Sequence, residues 1–219
     1  MEIENAQIQR RRILLQGVIQ GVGLRPFVYR EAKQNGLSGL VLNNSTGVKI
    51  EVEGIPQKIE DFIRSLQDSP PVLARIDEIV VEPIPPQGDK EFIIETSQQG
   101  EEQQVMISPD TATCSECLQE LFDPNDRRYH YPFINCTNCG PRFSIVQDAP
   151  YDRSKTTMAS FIMCSACAAE YSNPLDRRFH AQPIACLRCG PDIYLLNRKG
   201  EKSKQTNFDA IITAAQKLA

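Results

Sequence analysis

The placement of the cysteines limits most what this chain can fold into. All eight lie between Cys114 and Cys189, in four vicinal pairs: Cys114/Cys117, Cys136/Cys139, Cys164/Cys167 and Cys186/Cys189. In each half two C-x2-C pairs stand 18 residues apart, and the second half repeats the first fifty positions later. Other residues keep the register. Glu120 recurs as Glu170, Asp126-Arg127-Arg128 as Asp176-Arg177-Arg178, His130 as His180, and Gly140-Pro141 as Gly190-Pro191. Self-similarity at a fixed period marks a duplicated structural unit.

Two vicinal pairs per repeat match a four-thiolate zinc site, because a tetrahedral ion takes four ligands and two C-x2-C turns supply them. About two zinc ions per chain are therefore expected. A disulfide set would need an oxidising compartment, whereas the start, Met1-Glu2-Ile3-Glu4, has no apolar leader. The expectation is a cytoplasmic protein with reduced thiols. Redox-active C-x2-C motifs would not explain four such pairs at repeat spacing. The spacing leaves open whether each ion is held within one repeat or by interleaved pairs, and whether His130 or His180 replaces a thiolate. Thr113-Cys114-Ser115-Glu116 reads as a capping box opening a short helix, and Gly140 and Gly190 as left-handed turns after the last ligands.

Finger-like cysteine spacing raises the question of nucleic acid, and charge argues against it. The formal net charge is -4. Residues 110–191 hold eight Lys/Arg against nine Asp/Glu, with no basic stripe for a phosphate backbone. Metal here substitutes for a core that few large apolar side chains can build, and the module reads as structure plus protein docking. No apolar run reaches the roughly 18 residues of a membrane span.

The first hundred residues have no cysteine and a different pattern. After a polar tail to about residue 9, Arg12 to Ile19 reads as a strand. Gln20-Gly21-Val22-Gly23-Leu24-Arg25 forms a glycine turn, and Pro26 marks a helix start that runs to Asn35-Gly36. Ser38 to Asn44 and Val48 to Glu53 are strands around a Ser45-Thr46-Gly47 turn. Pro56 to Gln67 carries Ile59, Phe62, Ile63 and Leu66 at helical spacing, and Leu73 to Pro83 and Glu91 to Thr96 contain the last strands. The order is βαββαβ with a short fifth strand, an α+β sandwich of two helices on one sheet. A strand, a glycine turn and a helix N-terminus gather backbone N–H groups into an anion-binding nest. Arg25 stands where its fork can bind two phosphate oxygens.

Gly17-Val18-Ile19-Gln20-Gly21-Val22-Gly23-Leu24-Arg25 resembles the acylphosphatase signature, and Gly39 to Gly47 resembles that family's second motif. The resemblance implies a ferredoxin-like fold in which Arg25 and the amides of Gln20, Gly21, Val22, Gly23, Leu24 and Arg25 hold a phosphoryl group. It also implies that Asn43 orients the attacking water. Leu24 stands where that family usually has an aromatic residue or Met.

Such a domain followed by this duplicated cysteine spacing resembles the N-terminal part of the HypF family of hydrogenase-maturation carbamoyltransferases. Asp110-Thr111-Ala112-Thr113-Cys114, Asn135 to Arg142 and Asp176 to His180 are similar to that family's motifs. The resemblance implies carbamoyl phosphate as substrate, cleaved to carbamate. ATP would be used only by downstream YrdC-like and later domains, with a HypE-type acceptor protein and a cyanide ligand of nickel–iron hydrogenase as the end product. Residues 10–98 are then expected as the acylphosphatase-like domain. Residues 105–192 would be the tandem finger module, with repeats at about 110–141 and 160–191, and 193–219 a linker and the start of the next domain. Phe208, Ile211, Ile212, Ala215 and Leu218 form an apolar stripe along that last segment, as if more chain were to cover it. The other reading is a catalytically silent zinc scaffold that docks maturation partners.

Overall fold

The computed structural model describes residues 8–44, 46–95 and 107–219. Most of the expected tail, Ser45 of the turn, Thr96 and the boundaries near 98 and 105 lie outside the described residues.

Strand β1 (Gln9–Val18) leads through the glycine turn into helix α1 (Leu24–Gln34). Then come β2 (Ser38–Asn43), β3 (Val48–Gly54), helix α2 (Pro56–Asp68), β4 (Arg75–Ile84) and β5 (Phe92–Ile94). The sheet order is β4-β1-β3-β2-β5, antiparallel except for the β2–β5 pair. This is the expected α+β sandwich, and the short fifth strand is present. One face of the sheet packs on both helices. Ile13, Leu15, Val41, Ile50 and Val52 from the strands close against Val28, Ala32, Ile59, Phe62 and Leu66. Pro56 opens α2 at its first position, where its missing N–H costs nothing.

Period-two alternation sends Arg10, Glu51 and Glu53 to the opposite face. Arg10 is fully buried there, donating Nη2 to Glu51 Oε2 at 2.9 Å and Nη1 to Glu53 Oε2 at 3.0 Å. Glu53 also accepts the amides of Gln87 and Gly88, so the long connection before β5 is tied to β3. Burial alone would raise the Glu51 carboxyl, but hydrogen bonds from Arg10 and Lys49 prevail and lower it to about 2.

The cysteine-bearing half holds two copies of one small unit. Helix α3 (Ser115–Phe122) and helix α4 (Ser165–Ser172) each begin just after the first cysteine of their repeat. In both copies the chain returns to cap the helix by the same bond: His130 N–H to Leu121 O at 2.8 Å, and His180 N–H to Tyr171 O at 3.0 Å. Both histidines have positive φ, 58° and 56°, a conformation that His tolerates better than most non-glycine residues. Between the copies, Phe143–Ile145, Arg153–Lys155 and Thr157–Ser160 form 3-10 turns. The hairpin β6 (Tyr194–Leu196) and β7 (Lys202–Thr206), with helix α5 (Asn207–Leu218), follows them.

Two local expectations fail. The capping box is absent: Cys114, not Thr113, is the N-cap of α3, and no side chain caps it. The Cys114 amide donates instead to Cys139 Sγ at 3.3 Å, because the sulfur cluster takes that donor. Gly140 is left-handed, with φ 70°, but Gly190 is not. Gly190 is glycine for room, since a Cβ there would collide with the Tyr131 hydroxyl.

Because folding lowers the Glu51 carboxyl, its stabilising contribution is complete above about pH 4.5 and is lost as the pH falls toward 2. Glu51→Gln should cost about 3 kcal/mol at pH 7, read by urea unfolding, since it leaves Arg10 partly unpaired in the interior. The gap between variant and parent should narrow below pH 4.5.

Candidate functional site

The glycine turn is held from both sides. Gly21 and Gly23 have φ of 75° and 79°, so both positions favour glycine by conformation. They favour it by contact as well. A Cβ on Gly21 would lie 2.8 Å from Pro141 Cβ and 2.9 Å from Tyr151 Cδ1, and one on Gly23 would lie 3.2 Å from Thr137 Cβ. The loop therefore rests directly on the cysteine-bearing module. The Gln20 side chain locks the loop: Nε2 donates to Asn44 O and Gly47 O, and Oε1 accepts from the Tyr151 amide at 3.0 Å. Val22 and Leu24 turn their side chains into the protein. Gly23 is the N-cap of α1 and no side chain caps it. This end of the helix carries its positive pole, which suits an anionic acceptor.

Arg25 and Asn43, 18 positions apart in sequence, meet beside this loop. With its oxygen toward Arg25, the orientation that pairs acceptor with donor, the Asn43 carboxamide accepts from Nε and Nη2 at 3.2 Å each. Both residues are buried. Arg25 Nη2 also donates to Asp152 Oδ1 at 2.9 Å. A tight hollow of about 20 Å³ is lined by Gly21, Gly23, Arg25 and Asn43 on one side and by Asn135, Thr137, Tyr151, His180 and Gln182 on the other. It shares Arg25, His180 and Gln182 with a wider cleft of about 260 Å³ that includes Asp152 and Tyr171.

The sequence pattern missed this second wall. Asp152 and Gln182 lie outside every motif, more than a hundred residues beyond Arg25, and no periodicity links them to it. His180 was a candidate metal ligand and lies outside both sulfur clusters. It stacks on Tyr171, with ring centroids 5.0 Å apart, and lines the hollow instead. Burial, with Arg25 nearby, lowers its imidazole to about 4, so it is neutral at physiological pH. His130 is not a ligand either; it is sandwiched between Tyr129 and Phe208 at 3.6 Å from each.

The cysteines form two clusters, each within one repeat: Cys114, Cys117, Cys136 and Cys139, then Cys164, Cys167, Cys186 and Cys189. This decides the pairing that spacing left open, against interleaving. All eight are free of disulfides. Sulfur atoms stand 3.6 Å apart in Cys114–Cys136 and Cys167–Cys189, and 3.8 Å apart in Cys136–Cys139, Cys164–Cys186 and Cys186–Cys189. Four sulfurs at zinc–thiolate distance around a tetrahedral centre would stand about 3.8 Å apart, so the donor sets fit that ion. As thiols alone each cluster shares its protons unevenly. Hydrogen bonds with Cys136 and Cys139 push the Cys117 thiol up, while the bonds it shares with Cys117 and Cys136 push Cys139 down.

Comparison with known proteins agrees with these two halves. The acylphosphatase model matches residues 11–94, and the HypF finger model matches 113–146 and 163–196. The probable carbamoyltransferase HypF of Methanocaldococcus jannaschii is 49% identical over 146 residues, 65% of this chain and 19% of that protein. An acylphosphatase of Yersinia pseudotuberculosis is 37% identical over 79 residues, 36% of this chain and 86% of that protein. A crystal structure of full-length HypF in the phosphate- and nucleotide-bound form superposes with a TM-score of 0.90 at 49% identity, covering 99% of this chain and 28% of that one. The chain belongs to the HypF family. It spans about a fifth of the length of the curated HypF relatives it matches.

In this HypF-family chain the two fingers are tied by crossed arginines. Arg127 and Arg128 of the first copy reach Glu170 and Cys167 Sγ of the second. Arg177 and Arg178 of the second reach Glu120 and Cys117 Sγ of the first. Arg128 Nε donates to Ala185 O and Arg178 Nε to Asn135 O, each at 3.0 Å. Each sulfur cluster thus takes its outer hydrogen bonds from the other copy, and the positive guanidiniums stabilise thiolate charge. Arg178→Ala should cost about 2 kcal/mol by removing a buried guanidinium that bonds Glu120 and Asn135 O, leaving Glu120 with Arg177 alone. Urea unfolding should show Arg178→Ala and Glu120→Gln non-additive, since they break one pair.

Proposed function

We propose that residues 10–98 form an acyl-phosphate hydrolase domain acting on carbamoyl phosphate. In this reading residues 105–192 are a finger module that completes the pocket, and residues 193–219 lead into the nucleotide-using part of the longer family proteins. The phosphoryl group sits against the amides from Gln20 to Arg25, with the Arg25 guanidinium on its equatorial oxygens. Asn43 hydrogen-bonds a water in line with the acyl oxygen. The water oxygen bonds to phosphorus as the bond to the acyl oxygen breaks. Carbamate leaves, and the water's proton ends on phosphate. Such a step needs positioning and charge stabilisation rather than a covalent nucleophile.

The observation that carries this reading is the meeting of Arg25 and Asn43 at 3.2 Å in a hollow lined by Gly21 and Gly23. The family relationship supports the substrate: the relatives matched over most of this chain are named carbamoyltransferases, and a matched structure is described as phosphate-bound. Carbamate would pass to ATP-dependent domains and a HypE-type acceptor protein, toward the cyanide ligand of nickel–iron hydrogenase.

Each four-cysteine cluster holds one zinc ion as a closed structural site. When bound, zinc supplies folding free energy on the order of 10 kcal/mol per ion and no chemistry at the hollow. The fingers serve catalysis by shape, setting Tyr151, His180 and Gln182 against the glycine loop.

Phosphate release from carbamoyl phosphate should fall by about 10²-fold or more in Arg25→Ala, which removes a preorganised donor to the transferred group. Asn43→Ala should lose roughly tenfold or more, through misplaced water. Equal activity in all three proteins would leave the scaffold reading standing instead. Metal analysis should give about two zinc ions per chain. Chelation should lower the Tm and abolish hydrolysis together, although no zinc touches substrate.

A further inference from the structure

The two walls of the hollow differ in hydrogen-bonding character. The acylphosphatase side presents donors: the loop amides and the Arg25 guanidinium. The finger side presents acceptors that nothing fills. Asn135 lines the hollow and is 4% exposed; its Nδ2 donates to Gly140 O, which fixes the carboxamide orientation, and its Oδ1 accepts no hydrogen bond. Asp152 lines the adjoining cleft, where Oδ1 takes the Arg25 bond and no described residue donates to Oδ2. Gln182 Oε1 does not compete for a ligand, since the Arg153 amide and the Tyr171 hydroxyl already donate to it. Asp152 is 22% exposed, so Oδ2 is open to the cleft, whereas Asn135 Oδ1 is buried, and a buried acceptor with no donor is costly and calls for one.

Carbamoyl phosphate has the matching polarity. Its phosphate end only accepts hydrogen bonds, and its amide end carries two N–H donors. Acetyl phosphate has the same phosphate and a carboxylate leaving group of the same shape, acetate in place of carbamate, with a methyl where the NH2 would be. We propose that Asn135 and Asp152, both from the finger half, are specificity-determining residues that accept hydrogen bonds from the substrate's carbamoyl NH2. This rests on the acyl-phosphate reading above and deepens it: the finger module selects the acyl group, and the glycine loop grips the phosphoryl group. Arg25 is bonded to the Asp152 carboxylate at 2.9 Å, which offsets the acid's charge beside the substrate's negative end. His180, neutral on the same wall, adds no charge there. A site built to pair N–H groups discriminates strongly against an analogue that lacks them, because its own acceptors are then left unpaired.

The test measures kcat/KM for carbamoyl phosphate and for acetyl phosphate on the 219-residue chain, Asp152→Ala, Asp152→Asn and Asn135→Ala, with thermal protection by inorganic phosphate as a check on the cradle. The parent should prefer carbamoyl phosphate. Asp152→Ala and Asn135→Ala should each lower the preference for carbamoyl over acetyl phosphate by about tenfold or more, whatever rate acetyl phosphate keeps. Asp152→Asn, which keeps an oxygen acceptor, should recover part of the preference, and phosphate should still protect Asp152→Ala. Should Asn135→Ala fail to fold, the Asp152 pair decides alone. Parallel loss of both substrates, or loss of phosphate protection in Asp152→Ala, would make Asp152 a positioner of Arg25 and overturn the assignment while leaving the hydrolase reading intact. Unchanged selectivity overturns it equally. A parent that hydrolyses neither substrate removes the hydrolase reading and this assignment with it.

Discussion

The seating of the glycine loop on the finger module is the contact on which the rest of the site depends. Gly21 lies against Pro141 and Tyr151 too closely for a Cβ without a shift, and Gly23 against Thr137 closely enough that a Cβ would crowd it. Positive φ and close approach fall on the same two residues. The loop conformation that leads into α1 is therefore also the one that fits the partner surface. Gln20 joins the same contact by accepting the Tyr151 amide while donating to the turn beside Asn43. The 2.9 Å ion pair from Arg25 to Asp152 closes it from the other side. A site of this kind is built by two modules at once, so its geometry responds to the integrity of either.

The finger module is one object rather than two beads on a string. Its copies bury few large apolar side chains beyond Tyr131, Ile134, Met158 and Ile184. The crossed arginines take the place of a shared core, each reaching a glutamate and a thiol sulfur of the other copy. Paired guanidiniums can be buried because every one of them meets negative charge or carbonyl oxygen. Duplication has left the backbone nearly unchanged and the surroundings different. His130 and His180 share a strained conformation and a helix-capping bond. One is clamped by Tyr129 and Phe208, while the other faces the hollow. Phe208 belongs to the first turn of α5, so that helix is anchored on the first finger, with Ile211, Ile212 and Leu218 exposed beyond it.

Local signals in the sequence were enough for much of this. Alternation in Arg12 to Ile19 and helical spacing in Ile59, Phe62 and Leu66 are short-range consequences of burying one face, so the βαββαβ order could be read directly. The cysteine period announced a duplicated four-sulfur unit for a similar reason: ligand geometry acts through fixed chain separations. Where a signal had two physical explanations, sequence could not choose. Gly140 and Gly190 occupy equivalent positions, yet one answers a left-handed turn and the other a crowding tyrosine. The capping pattern at Thr113 was overridden by a sulfur that competes for the same amide.

The sequence alone therefore determined the two module types, the eight sulfurs, and the loop, arginine and asparagine of one wall, because each of these is written in contiguous motifs. Only the tertiary structure decided which sulfurs share a cluster, that the histidines are not among them, and that Asn135, Asp152, His180 and Gln182 stand across from Arg25. Those residues meet through packing between segments more than a hundred positions apart, and packing of that range leaves no periodic trace in a single chain.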